Sequence, residues 1–421
     1  MTTLLSRTRR FPLYLACLIV LLAVLANSAS HWYEQNYPGI AIGFNPSNSE
    51  ARIRSTEITL AKSSENADFP ALIETIKAGI YYEPYNPKLY SLLGMLSISA
   101  GTPPEEAQDL FKHALALNGA DIRALLSRFA FTASQNQIEE AVRLAELIFR
   151  GWPQQWQLVE PYLPVLLENK AGYAVARTRF AALPGGPSRM LASLSKTDTG
   201  LYFARKLLLD WRQDGVEDLR PSINIIIGRL LAAKQYNEAF ILNNLTLNEA
   251  EKDEAGYIFN KDFNLKPNGS PFDWSLPKIP GMSFAMVTTS SRSSDPAKSA
   301  TDQAFEIKFL NSPVRLATRL QTLRLPSARF SWSLSYSTRN LKGPKPVELR
   351  IRCLPGGKTL ASLVLDQSEG KVSTAQTELS VPDRDCPLQE ILVTNNNIVE
   401  SWQNRYSGSV FLHATAVRLV Q

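Results

Sequence analysis

The residues of this sequence whose types and spacing suit chemistry lie in its last two-fifths: Asp273-Trp274, and the run Trp402, Asn404, Arg405 and Tyr406. An indole or phenol face stacks on the apolar C–H face of a pyranose ring. A carboxylate, carboxamide or guanidinium beside it then bonds the ring hydroxyls. These six residues are the candidate sugar contacts. Two of them carry a second reading: Trp402 as a loop anchor over one end of a sheet pair, and Trp274 as a core residue sealing a first strand. Trp332 is expected in the core, because it alternates with Ser331 and Ser333 on one face with Phe330 and Leu334.

Reaction chemistry finds less support. The sequence holds no Gly-rich phosphate loop, zinc-binding histidine pair or serine-hydrolase elbow. Gly356-Gly357-Lys358 sits between two strand patterns and reads as a hairpin turn. Two glycosidase carboxylates need not be close in sequence, so a polysaccharide hydrolase or lyase on the strand-rich half stays open. Asp273, Asp302 and Glu306 are its first suspects. Three scattered histidines, His31, His113 and His413, and three cysteines give no metal-ligand spacing, so neither metal nor cofactor is expected. Cys353 and Cys386 flank predicted strands behind an export signal and can oxidise to a disulfide.

The elements that must position these residues change character at residues 258–274. Before them, apolar residues recur with helical spacing; after them they alternate as in strands. Asn268-Gly269 and Pro271 mark turns in between. At 421 residues, 44% hydrophobic and 20% charged, the chain has length for several buried cores. A net charge of +6, with no basic block interleaved with aromatics, argues against nucleic-acid binding.

In the helical part, Asn86-Pro87 opens a segment with Tyr90, Leu93 and Gly94, and Pro103-Pro104 opens a second with Ala107, Phe111 and Ala114. Ala141, Ala145 and Ile148 repeat the last three after 34 residues. A half-unit lies at residues 69–84, and a later unit carries Gly228, Leu231, Tyr236 and Ala239-Phe240. Residues 150–220 are a degenerate stretch between them. Arg123, Arg128 and Arg143 are either paired with carboxylates or solvated. After Ser283, Phe305/Ile307/Phe309, Phe330/Trp332/Leu334/Tyr336 and Val347/Leu349/Ile351/Cys353 each give a strand with one apolar face. About eight such strands predict an antiparallel β-sandwich or jelly roll. Residues 288–300 read as an exposed Ser/Thr-rich loop.

At the N-terminus, Arg7, Arg9 and Arg10 precede an uncharged run at 11–26, which reads as a signal anchor with the arginines on the cytoplasmic side. Cleavage after Ser28 or Ser30, releasing a soluble periplasmic protein, is the alternative. The expected organisation is an anchor at 1–32, a linker at 33–50, a tetratricopeptide-like α-solenoid at 51–250 and a β-sandwich at 256–421.

The Arg-flanked anchor, the Pro-containing segment 42–46 and the repeat Asn86-Pro87…Leu93-Gly94 together resemble the membrane-anchored tetratricopeptide proteins of bacterial exopolysaccharide clusters. Phe259-Asn260…Phe263…Pro271-Phe272-Asp273-Trp274 is similar to the first strand of galactose-binding-like carbohydrate modules. The resemblance implies a non-catalytic periplasmic scaffold at the inner membrane. Its repeats would hold a synthesis or export protein, and its sandwich, with its loop aromatics, would contact glycan or the secretion machinery. A sandwich that only assembles with other proteins is the further alternative.

Overall fold

The computed structural model describes residues 4–63, 67–290, 301–396, 403 and 405–420. Among these, fifteen α-helices precede nine strands. The chain forms two compact units, Met1–Gly186 and Pro187–Gln421.

The first unit begins with α1 (Leu4–Tyr33) and the short α2 (Pro38–Phe44), followed by α3 (Ser49–Ser63) and α4 (Phe69–Tyr82). Next come α5 (Pro87–Ser99), α6 (Pro104–Leu117), α7 (Ile122–Ser134) and α8 (Ile138–Gly151). Their starts are written in the sequence. The Asp68, Asn86 and Asp121 side chains accept from the first free N–H groups of α4, α5 and α7, and Pro87 and Pro104 preset the backbone of the first turn. Consecutive helices pack on one another. The 34-residue repeat is a repeat of burial: Ala107, Phe111, Ala114, Ala141, Ala145 and Ile148 are all in the core.

Gly94 fixes one of these contacts. A methyl group built there would lie 2.8 Å from Cε1 of Phe111, so α5 meets the Phe111 ring at a distance only glycine permits. The half-unit expected at 69–84 is a full helix pair, α3 with α4. The degenerate stretch starts with short 3-10 turns at Pro153–Leu158 and Glu160–Tyr162 and continues as α9 (Leu163–Glu168) and α10 (Lys170–Ala181). Residues 33–50, expected as linker, contain α2. A seven-residue helix with Pro38, Gly39 and Gly43 gives no periodic signal to read.

α11 (Gly186–Leu194) crosses the boundary, and α12 (Asp198–Gln213), α13 (Arg220–Ala232), α14 (Tyr236–Leu245) and α15 (Glu249–Asp253) share the second unit with the sandwich. This division falls within the helical region, while the change from helices to strands follows α15. One antiparallel sheet holds, in spatial order, β1 (Met282–Ser290), β2 (Thr301–Pro313), β9 (Arg405–Leu419), β4 (Arg329–Lys342) and β7 (Ser373–Ser380). The other holds β3 (Ala317–Leu323), β8 (Leu388–Thr394), β5 (Val347–Leu354) and β6 (Thr359–Leu365). Between them lies a core that includes Phe305, Phe330, Trp332, Leu349, Ile351, Ile391 and Leu412. Gly356 and Gly357, both at positive φ, form the β5–β6 turn. Cys353 and Cys386 are joined by a disulfide that ties the end of β5 to the approach to β8. Strand β1 runs to Ser290 and so takes in the start of the segment expected as loop; 291–300 lie outside the described residues.

Candidate functional site

Asp273 and Trp274 are core residues, each 1% exposed, and offer no surface to a sugar. The Trp274 ring packs at 4.9 Å from Phe263 and 5.6 Å from Phe305, and its Nε1 donates to the Asn260 carbonyl at 3.0 Å. Asp273 accepts from the backbone N–H groups of Asn268 at 2.8 Å and of Trp274 at 2.6 Å. Burial dominates its ionisation and pushes the carboxyl up to about 6, against those two hydrogen bonds and nearby Arg220. The pattern Pro-Phe-Asp-Trp thus closes the sandwich, the alternative reading of the same residues.

Around Asp273 the loop is tied to the helices of its own unit. Asn268 Nδ2 donates to Glu251 at 2.7 Å, Asn224 Nδ2 donates to the Asn268 carbonyl at 2.9 Å, and Arg220 pairs with Glu251. Phe272 meets Phe240 edge-on at 5.5 Å. These are structural bonds of a buried seam.

Of the C-terminal group, Trp402 and Asn404 lie outside the described residues. Arg405 is exposed at the start of β9, whereas Tyr406 is buried at 1% exposure. The Tyr406 hydroxyl donates to the Lys345 carbonyl at 3.0 Å, and its ring lies against Gly343 where a Cβ would collide. It borders a depression of about 230 Å³ with Pro344, Asp366 and Gln367. Tyr406 is therefore an internal strut, and the expected aromatic platform does not form from Trp274 and Tyr406. Of the acid suspects, Asp273 is sequestered and Glu306 accepts from Ser409 Oγ at 2.8 Å; the Asp302 side chain lies outside the described ones. No group of three or more His, Cys, Asp or Glu side chains is placed to hold a metal among the described residues.

The surface best suited to hydroxyl-rich ligands is the outer face of the five-stranded sheet, where the strand alternation signals only polarity. Ser331, Ser333 and Ser335 lie on it, opposite the buried Phe330, Trp332 and Leu334. In register beside them on β7 stand Glu378, Gln376 and Thr374, and on β9 Arg418 pairs with Ser331. Gln376 Nε2 donates to Ser331 Oγ at 2.9 Å, and His413 Nε2 meets Ser337 Oγ at 2.9 Å. Alternate residues on a strand are roughly 7 Å apart and neighbouring strands about 5 Å, so the face is a fixed grid of donors and acceptors. Its aromatic, Phe411, is buried beneath the Arg339 guanidinium, 5.3 Å from the ring centre.

Among the described residues, the most exposed aromatics lie in the helical part. Tyr81 and Tyr85 are each 83% exposed around the end of α4, and Tyr82 stands edge-on to Tyr81. Arg123 and Arg128 pair with Glu57 and Glu140, and Arg143 also with Glu140.

Fold and surface together define a helical-repeat protein with an appended antiparallel β-sandwich. No protein-family model matches the chain, and no curated protein matches it. Among solved structures it is similar to a carbohydrate-binding module, CBM4, at 11% identity and TM-score 0.29, over 39% of this chain and 99% of that one. It is similar to the module CBM6cm-2 of the Cellvibrio mixtus lichenase 5A in complex with cellotriose, at 9% identity and TM-score 0.22, over 35% and 92%. It is also similar to Pseudomonas aeruginosa PilF, at 17% identity and TM-score 0.28, over 46% and 88%. Likenesses at this level carry no argument about ligand or partner.

Proposed function

We propose that the chain is a non-catalytic scaffold of polysaccharide assembly or export, anchored in a bacterial inner membrane by its first helix. In this reading the helical hairpins hold a protein of the synthesis or export machinery in the periplasm, and the sandwich contacts the glycan. The observation that supports it is the hydroxyl-rich outer face of the five-stranded sheet, with Ser331, Ser333, Gln376, Glu378 and Arg418 in fixed register. Each such hydrogen bond nets only about 1 kcal/mol, so affinity is expected in the millimolar to high-micromolar range. A second reading, a sandwich that joins proteins only, draws support from the burial of Trp274 and Tyr406.

The test is calorimetric titration of the full chain in nanodiscs with the polymer of its host. Ser333→Val with Gln376→Ala should weaken binding about tenfold with the melting temperature unchanged. Absence of binding by the unaltered protein would select the second reading, and new reducing ends in the polymer would overturn the non-catalytic one.

A further inference from the structure

We propose that residues 37–44 lie in the headgroup layer of the bilayer entered by α1, so that the helical unit is seated on the membrane and not swung from a tether. The inference rests on the anchored reading above. α1 is long and apolar enough to span a membrane over Tyr14–Tyr33, a length of about 30 Å at 1.5 Å per residue. Leu18, Ile19, Leu21, Leu22 and Leu25 are all exposed along it.

Beyond the span, after Glu34-Gln35-Asn36, the chain becomes apolar again. Between Tyr37 and Phe44 the only polar side-chain atom is the tyrosine hydroxyl. Ile40 and Phe44, four residues apart on one face of α2, are 50% and 48% exposed, and Tyr37 at its N-cap is 60% exposed. The other face, Pro38 and Ala41, is buried. Exposed apolar side chains along one whole face of a short helix are unfavourable in water and suited to the boundary of acyl chain and headgroup.

The depth of α2 is set by hydrogen bonds to the last turns of α1. Ser30 Oγ donates to the Ala41 carbonyl at 2.8 Å, and Asn48 Nδ2 donates to Ser30 Oγ at 2.9 Å. Asn45 Nδ2 donates to Asn27 Oδ1 at 2.8 Å. α2 is therefore held beside residues 27–33, where the span leaves the hydrocarbon. Tyr33 stacks on Phe44 with centroids 6.1 Å apart and 12° between planes, and Trp32 is exposed next to it. Tryptophan and tyrosine at the end of a span are the composition of an interfacial belt. A second copy of the chain is the weaker occupant: three side chains fall far short of the roughly 800 Å² per partner of a stable interface.

The experiment uses the full chain, with Cys17→Ser so that the disulfide leaves no other thiol, reconstituted in phosphatidylcholine/phosphatidylglycerol vesicles. A nitroxide is attached in turn at Leu18→Cys, Ile40→Cys, Phe44→Cys and, as an aqueous control, Lys112→Cys. Relaxation by oxygen and by a water-soluble nickel chelate reads the depth of each. The expected result is Leu18 within the hydrocarbon, Ile40 and Phe44 oxygen-accessible and at least fivefold less nickel-accessible than Lys112. If Leu18 is deep but Ile40 and Phe44 match Lys112, the seating is wrong and the anchor stands. If Leu18 is also nickel-accessible, the anchor itself is wrong. Spin–spin broadening at Ile40, lost on dilution with unlabelled protein, would assign the face to a second copy and overturn the proposal.

Discussion

Ser270 donates its hydroxyl to the Asn243 side-chain oxygen at 2.6 Å, and both residues are buried. The bond joins the loop that enters the sandwich to α14, a helix that its sequence places with the repeats. Asn268 to Glu251 and Phe272 against Phe240 make the same connection. Helix and sandwich lie in one compact unit here, which a boundary at 250–256 would cut.

Cutting there is the first test. A fragment of residues 187–421 is expected to unfold cooperatively, whereas 256–421 leaves Ser270 without Asn243, Asn268 without Glu251 and Phe272 without Phe240. Buried polar groups stripped of partners cost about 1–3 kcal/mol each, so the shorter fragment should melt at least roughly 10 °C lower or aggregate. Equal melting temperatures by circular dichroism would show that the seam contributes nothing.

The two repeat glycines predict opposite signs. At Gly94 an added methyl meets the buried Phe111 ring at 2.8–3.2 Å, and overpacking of this kind costs about 1–3 kcal/mol. At Gly228, inside α13, nothing lies within 4 Å of the added methyl, and alanine should gain about 0.5–1 kcal/mol from helix propensity. Gly94→Ala should therefore lower the urea midpoint and Gly228→Ala raise it. The same sign for both would mean that the Gly94–Phe111 contact relaxes freely.

That contrast shows what the sequence made legible. Ala107 and Ala141, 34 residues apart, announce a repeat because both positions face a packed neighbour, and strand alternation around Trp332 announces a sheet face. Gly228 occupies the matching letter of the motif without the matching contact. Asp273-Trp274 misleads for a related reason: an aromatic beside a carboxylate fits a sugar platform and a capped core equally well. What separates the readings is the partners of the pair, Asn260, Asn268 and Phe305, which only the fold brings together. α2 was illegible because it is too short for its period to register.

The N-terminal helix is expected to remain on the mature protein. Cleavage after Ser28 or Ser30 would remove Asn27 and, in the second case, Ser30 itself from the bonds to Ala41, Asn45 and Asn48. Intact mass of protein extracted from membranes should equal that of the full chain, apart from the initiating methionine. A mass beginning at residue 29 or 31 would restore the soluble periplasmic alternative.

Thiol counting addresses the disulfide. With Cys353 and Cys386 bonded, denatured, unreduced protein should react with Ellman's reagent at one thiol, Cys17, and at three after reduction. The bridge closes a chain separation of 33 residues. Loop closure of that size adds about 3–4 kcal/mol, so Cys353→Ala with Cys386→Ala should lower the melting temperature by about 10 °C or more. Three reactive thiols before reduction would remove the bridge.

The last prediction concerns pH and starts from Asp273. Its folded value of about 6 lies above the ordinary 3.8, so between those limits the folded protein holds a proton that the unfolded chain has released. Stability from this residue is therefore full below about pH 4 and is lost as pH rises through 6, the reverse of a salt-bridged carboxylate. At roughly 1.4 kcal/mol per unit of pH, the loss across the window amounts to about 3 kcal/mol. Asp273→Asn removes the titration while an amide oxygen can still accept from Asn268 or Trp274. The excess stability of the unaltered protein over this variant should thus be larger at about pH 4.5 than at about pH 7. Melting temperatures of both proteins across that range give the answer, with the background of other titrating groups cancelling in the difference. A difference independent of pH would mean that Asp273 is ionised throughout and that the two backbone N–H groups outweigh its burial.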